Sequence, residues 1–222
     1  MRVGTKENVM GWRARWIAAV GAGILLVLSS TAGAKALVIP PRPGQVGLSI
    51  EGQYGTFLDT GDMGGDFADG PGLAVRIRYR MRYERAIGLS FESQSFNVRP
   101  GTSFTDPFSG TIIPPDSSVA PQTLTWITWG PEFYQMFGTR TNTTRMLSAG
   151  LGLVSGGHLT LKDGETQYIT DGYYLSAGAG VEHFFWRSWA WDLGARYMAV
   201  FHEGQTNHEF QAAAGIIVYA SY

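Results

Sequence analysis

Leu73-Ala74-Val75-Arg76-Ile77-Arg78-Tyr79-Arg80-Met81-Arg82-Tyr83 decides the fold. The odd positions, Leu73 to Tyr83, are all apolar, and four of the five even positions between them are arginine. Period two is the signature of a strand, whose successive side chains point to opposite faces. This strand therefore has one apolar face and one strongly cationic face. Four like charges two residues apart repel unless acids on neighbouring strands interleave with them. The stretch thus predicts both its own conformation and the chemistry of its neighbours.

The same alternation recurs along the chain. Eight segments carry it, at about 45–56, 72–83, 86–96, 122–137, 146–155, 173–185, 189–202 and 209–222. Most run ten residues or more, against about 5–6 for an ordinary strand and about 9–11 for a tilted strand crossing a bilayer. Beside the arginine strand, Ile87, Leu89 and Phe91 alternate with Gly88, Ser90, Glu92 and Gln94. Further on, Leu175, Ala177, Ala179 and Val181 alternate with Ser176, Gly178, Gly180 and Glu182. The connections alternate as well. Long ones are expected at 57–71, 97–121, 156–172 and 203–208, and short ones at Glu84-Arg85, Gly138–Arg145 and Arg187-Ser188.

An even number of long strands, with long loops at one end and short turns at the other, predicts an all-β, eight-stranded, antiparallel up-and-down transmembrane barrel. Alternation alone also fits a soluble lipocalin-like barrel with its apolar face inward. Three further features point outward. The polar face is crowded with Gly and Ser, as a narrow filled lumen requires. Aromatics gather near strand ends, with Tyr83, Phe133, Phe137, Phe185, Trp189, Trp191 and Tyr222 at one interface and Phe91, Trp129, Tyr173 and Phe201 at the other. The last strand runs to the final residue, Tyr222.

The N-terminus supplies an address. Arg2, Lys6, Arg13 and Arg15 precede an apolar run from Trp16 to Leu28, followed by Ser29-Ser-Thr-Ala32-Gly-Ala34-Lys-Ala36. This is the layout of an export signal, with cleavage expected after Ala34 or Ala36 and translation starting at Met1 or Met10. The small polar residues that close the run argue against a retained helix. Residues 1–36 are read as signal, 37–44 as a Pro-rich leader and 45–222 as the barrel. Removing the signal leaves 12 Lys+Arg against 17 Asp+Glu, a net charge of -5. An acidic exported chain of residues 37–222 with no Cys is neither a general nucleic-acid binder nor a disulfide-stapled module.

The eight alternating strands, Gly178-Ala-Gly180-Val-Glu182, Trp191-Asp-Leu-Gly-Ala-Arg196-Tyr197 and the terminal Tyr222 resemble the OmpA/OmpX-like small outer-membrane barrels. The resemblance covers the whole mature chain. It implies an integral protein of the bacterial outer membrane, with extracellular loops and periplasmic termini, in contact with membrane lipid and lipopolysaccharide. It further implies assembly by the outer-membrane insertion machinery, which reads a C-terminal strand ending in an aromatic, here Val218, Ala220 and Tyr222. No periplasmic peptidoglycan-binding domain is expected after the barrel.

The lumen is expected to hold Arg76, Arg78, Arg80, Arg82 and Arg196 against Glu51, Glu92, Glu132, Glu182 and Asp192, five charges of each sign. Such a network either lines an ion channel or fills and stiffens the barrel. The width of an eight-stranded barrel, just enough for side chains, favours filling. The long loops are acidic, and Glu203 and Glu209 are assigned to them. Asp59, Asp62, Asp66 and Asp69 form the densest acidic cluster, a weak metal candidate whose spacing does not fit an EF-hand. No catalytic site and no cofactor are expected. The His-x-Ser pattern of outer-membrane lipid A deacylases does not occur. The expected role is therefore non-enzymatic, in envelope integrity or surface interaction through the loops. A narrow solute channel, a lipid A-modifying enzyme and a soluble ligand-binding barrel are the alternatives.

Overall fold

A computed structural model describes residues 41–58, 65–105, 112–115, 117, 120–169, 171–202 and 204–220. The signal segment 1–36, leader residues 37–40, Asp59, Asp62, Glu203 and Tyr222 lie outside the described residues.

Eleven strands follow in chain order: β1 (Val46–Phe57), β2 (Asp69–Arg82), β3 (Arg85–Asn97), β4 (Phe104–Thr105), β5 (Ile112–Ile113), β6 (Pro121–Phe137), β7 (Thr143–Leu161), β8 (Thr166–Ile169), β9 (Gly172–Trp186), β10 (Trp189–His202) and β11 (Gln205–Tyr219). Eight of them form the ring β1-β2-β3-β6-β7-β9-β10-β11, closed by the antiparallel pairing of β11 with β1. Closure leaves no unpaired edge, the condition for strands to stand in hydrocarbon. The protein is a transmembrane β-barrel.

The apolar face looks outward. Leu48, Ile50, Leu73, Ile77, Phe91, Leu147, Leu151 and Leu175 are all between 42% and 57% exposed, while the polar residues alternating with them are buried or half-buried. This polarity excludes the lipocalin-like arrangement, in which the apolar residues would line the cavity. Phe91, Trp129, Leu153, Tyr173 and Phe201 form one continuous outward row across β3, β6, β7, β9 and β10.

Three connections at one end are short: Tyr83-Glu84, 138–142 and Arg187-Ser188. β1 begins and β11 ends at this turn end, where Gly47 pairs with Tyr219. The other end departs from expectation. β10 and β11 are joined by a tight hairpin in which His202 pairs with Gln205, so residues 205–208 are strand and not loop. β7 runs past the expected segment to Leu161 and pairs there with β8. Residues 205–208 are polar on both faces and show no alternation to read, and in the β7 extension Gly156 and Gly157 interrupt the pattern before Leu159 and Leu161 resume it on one face.

Small residues on one wall make room for long ones on the other. β9 stands opposite β2 in the ring, and its inward positions are Ser176, Gly178, Gly180 and Glu182. One close approach is between β6 and β7. A Cβ on Gly152 would lie 2.2 Å from the Trp129 carbonyl oxygen, 2.7 Å from the Tyr174 ring and 2.8 Å from the Gly130 Cα. At Gly194 the nearest atom to such a Cβ is 3.6 Å away. Gly152→Val is therefore expected to lower barrel stability by about 1–3 kcal/mol through overpacking, and Gly194→Ala to leave it within about 0.5 kcal/mol. Urea unfolding in detergent micelles checks both, and equal midpoints for the two variants would contradict the packing argument.

Candidate functional site in the barrel interior

The alternation that turns Leu73, Ile77 and Tyr79 outward turns Arg76, Arg78 and Arg80 inward. All three are at most 9% exposed. Burying a guanidinium is costly unless it is paired and hydrogen-bonded, and the neighbouring strands supply the acids.

Two ionic clusters result. Toward the turn end, Arg78 pairs with Glu182 on β9 and, at 3.1 Å, with Asp192 on β10. Arg80 meets the other oxygen of Glu182 at 2.5 Å, and the Tyr219 hydroxyl donates to Glu182 at 2.6 Å. The Arg78 and Arg80 guanidinium carbons lie 4.2 Å and 5.0 Å from the ring centroids of Tyr134 and Tyr219, close enough for cation–π attraction. The second cluster joins Arg76 and Arg196 to three acids. Arg76 pairs with Glu51 and, at 2.9 Å, with Glu92. Arg196 pairs with Glu92 and, at 3.0 Å, with Glu132. Ser49 donates to Glu51 at 2.8 Å, and Tyr134 donates to Glu132.

Two residues are placed differently from expectation. Arg82 shares the sequence parity of Arg76, Arg78 and Arg80, but it is exposed. The β2–β3 register shifts between Arg80 and Arg82, where the strand runs into its turn, and a shift of one residue re-aims every side chain after it. Glu209, assigned to a loop, is fully buried on the inward face of β11. Its parity with Gln211, Ala213 and Gly215 was the available signal, obscured by the polar neighbours Asn207 and His208. The described interior thus holds four arginines against six acids, not five against five.

Of the six interior acids, Glu209 has no arginine within ion-pair distance among the described residues. Its Oε1 accepts from Gln211 Nε2 at 2.7 Å, and Gln211 in turn accepts from Arg196. Glu209 Oε2, both amide atoms of Gln53 and Gln94 Oε1 are buried without a protein partner. This polar layer lies beneath an apolar cap on the loop side, built from Phe57, Phe67, Phe96, Leu124, Trp126, Val154, Tyr174, Met198 and Val200. Phe67 comes from the β1–β2 connection and joins the cap through a bridge to Val98. The turn end is closed by Tyr134, Met136 and Met146 and by Phe184, Ile217 and Tyr219. A cavity of about 40 Å³ remains among Glu51, Arg76, Glu132, Arg196 and the glycine wall. That is room for roughly two or three waters, far below the ~300 Å³ of a small-ligand site.

Of the acidic loop cluster, Asp66 and Asp69 are described. Asp69 accepts the Tyr54 hydroxyl at 2.8 Å. No group of three or more His, Cys, Asp or Glu side chains among the described residues is placed to hold a metal ion. Three histidines have a hydroxyl or a ring as neighbour: His183 meets the Thr143 hydroxyl at 2.9 Å, His158 lies against Tyr168, and His208 against Tyr197. Val218 faces outward on β11, and Ala220 follows the strand with its amide donating to the Val46 carbonyl.

No protein-family model matches the sequence, and no curated protein matches it. Solved structures do. Neisserial surface protein A superposes with a TM-score of 0.56 at 13% identity, over 78% of this chain and 96% of that one. OprG of Pseudomonas aeruginosa gives 0.52 at 12% identity, over 83% and 100%. Outer membrane protein AlkL in lipid bilayers gives 0.50 at 12% identity, over 86% and 97%. The fold is that of the OmpA/OmpX-like small outer-membrane barrels.

The charge count generates a contrast between two isosteric changes. Glu92→Gln removes the acid shared by Arg76 and Arg196, and is expected to cost on the order of 3–5 kcal/mol. Glu209→Gln replaces a buried carboxyl that has no arginine within ion-pair distance among the described residues, and is expected to leave stability unchanged or raised. Urea midpoints of the refolded variants check this, and a comparable loss in both would show that Glu209 has an ionic partner.

Proposed function

We propose that this protein is a non-enzymatic integral barrel of the bacterial outer membrane, acting in envelope integrity or surface interaction through its loops. The observation that carries this reading is the sealed interior. A paired ionic core lies between an apolar cap and an apolar floor, so the lumen offers a solute neither a path nor a chamber. What remains for interaction is the outer wall and the two ends.

In this reading the loops are extracellular and the termini periplasmic. The described acids at the loop end, Asp66, Asp69, Asp163, Glu165 and Asp171, face Arg99 and Lys162 as the described cations there. Lipopolysaccharide surrounds that end. Residues 1–36 act as a cleaved export signal, and Val218, Ala220 and Tyr222 as the signal read by the insertion machinery.

Planar-bilayer recording and protease treatment of intact cells test the proposal together. The expected results are no stable conductance from the folded barrel and cleavage confined to the long loops. Large stable conductance would overturn the filled interior, and cleavage at the turns with intact loops would overturn the orientation.

A further inference from the structure

The strongest feature outside the interior is the charge at the turn end. Arg42, Arg82, Arg85, Arg140, Arg145 and Arg187 are all exposed there, against one exposed acid, Glu84. Among the described residues none of these arginines has an acid within ion-pair distance. Three of them border one stretch of wall. Arg85 on β3 and Arg145 on β7 have the outward parity of Ile87 and Leu147. They flank the outward Phe133 and Phe137 of β6, with Arg85 in register with Gln135 and Arg145 with Phe137. Arg82 faces Arg85 across the β2–β3 turn, two like charges in direct opposition.

Aromatic side chains fix the height of this belt. Phe137 and Tyr83 are 48% and 42% exposed, and the Arg140 guanidinium lies 5.9 Å from the Tyr83 ring centroid. Across the ring, Arg187 lies 6.0 Å from Trp186, itself stacked near Trp189. Amphipathic rings settle at the headgroup level of a bilayer, so guanidinium groups beside them stand at the level of lipid phosphates. A guanidinium presents a planar fork of donors matched to phosphate oxygens. Like charges held side by side at that level attract an anion between them.

We infer that the turn-end arginines, centred on Arg82, Arg85 and Arg145, form a binding surface for the phosphate headgroups of anionic phospholipids. The surface selects that leaflet lipid over zwitterionic ones. It complements the acidic loop end, so the barrel is charge-matched to phospholipid at its turns and not to lipopolysaccharide phosphate at its loops. The inference rests on the outer-membrane reading for the identity of the leaflet, but not for the chemistry of the site.

The test is lipid retention. The full barrel is reconstituted in nanodiscs of mixed phosphatidylcholine and phosphatidylglycerol, released, and examined by native mass spectrometry. The wild type is expected to retain phosphatidylglycerol several-fold over its share of the mixture. Arg82→Gln/Arg85→Gln/Arg145→Gln, exposed changes that leave the ionic core intact, is expected to retain the two lipids as mixed. Asp163→Asn/Glu165→Gln, which makes the loop end less acidic, is expected to keep the wild-type ratio. Retention as mixed by the wild type overturns the inference, as does enrichment that survives in the triple variant or follows net charge in both variants. Nanodiscs with added lipopolysaccharide complete the test. Loss of lipopolysaccharide retention in the triple variant, with phosphatidylglycerol unaffected, would assign the belt to the wrong leaflet. Lipid retention is read without cells, so its outcome is separate from that of the conductance and protease experiments.

Discussion

Three arginines of β2 must be accommodated inside an eight-stranded ring, and the rest of the structure follows from that constraint. The lumen is only wide enough for side chains. Arg76, Arg78 and Arg80 extend across it, so the wall opposite carries Ser176, Gly178 and Gly180, with Gly194 beside them. Their charge must be matched by groups that the barrel brings to the same depth. Glu51 and Glu92 lie on the two strands flanking β2, while Glu182 and Asp192 come from the far side of the ring. Tyr134 and Tyr219 serve twice, as hydrogen-bond donors to Glu132 and Glu182 and as faces for Arg78 and Arg80.

The ionic core also locks the register. Side chains alternate with a period of two, so sliding one strand by a single residue exchanges its whole inner and outer faces. For β2 the slip would turn three arginines into lipid, at about 2–4 kcal/mol each near the midplane. It would also bring Leu73, Val75, Ile77 and Tyr79 against Glu51, Glu92 and Glu182, acids left buried without partners. The Arg78–Glu182 and Arg80–Glu182 pairs join β2 to β9 through residues 104 and 102 positions apart in sequence. They fix how far β2 stands from β9 along the barrel axis, which pairwise hydrogen bonding between neighbours does not specify directly.

Alternation made the ring, its outward face and most of the inward charges legible in the sequence. Its failures have a common cause. Period two is read reliably only where one face is dry and the other polar. At Arg82 the strand has reached its turn and the register shifts. At Glu209 the neighbours Asn207 and His208 are polar on both faces, and the strand looks like a loop. The apolar cap was hidden for a different reason. An inward Phe96 or Trp126 near a strand end looks like an interfacial aromatic, and it is the pairing of β3 with β6 that sets the two rings 5.3 Å apart within the cap. The tight β10–β11 hairpin was likewise masked by the polar run that it closes.

In the proposed reading of a filled interior, selectivity lies outside the lumen. In a pore, the charges that choose a ligand line the lumen. Here the lumen arginines are taken up by Glu51, Glu92, Glu132, Glu182 and Asp192. The exposed arginines at the turns have no such partners among the described residues. A buried pair contributes rigidity and register, while an exposed unpaired group remains open to whatever surrounds the barrel. The sequence spends arginine on both tasks, and burial separates them: Arg80 is fully enclosed, and Arg82, two residues further along the same strand, is exposed where β2 meets its turn.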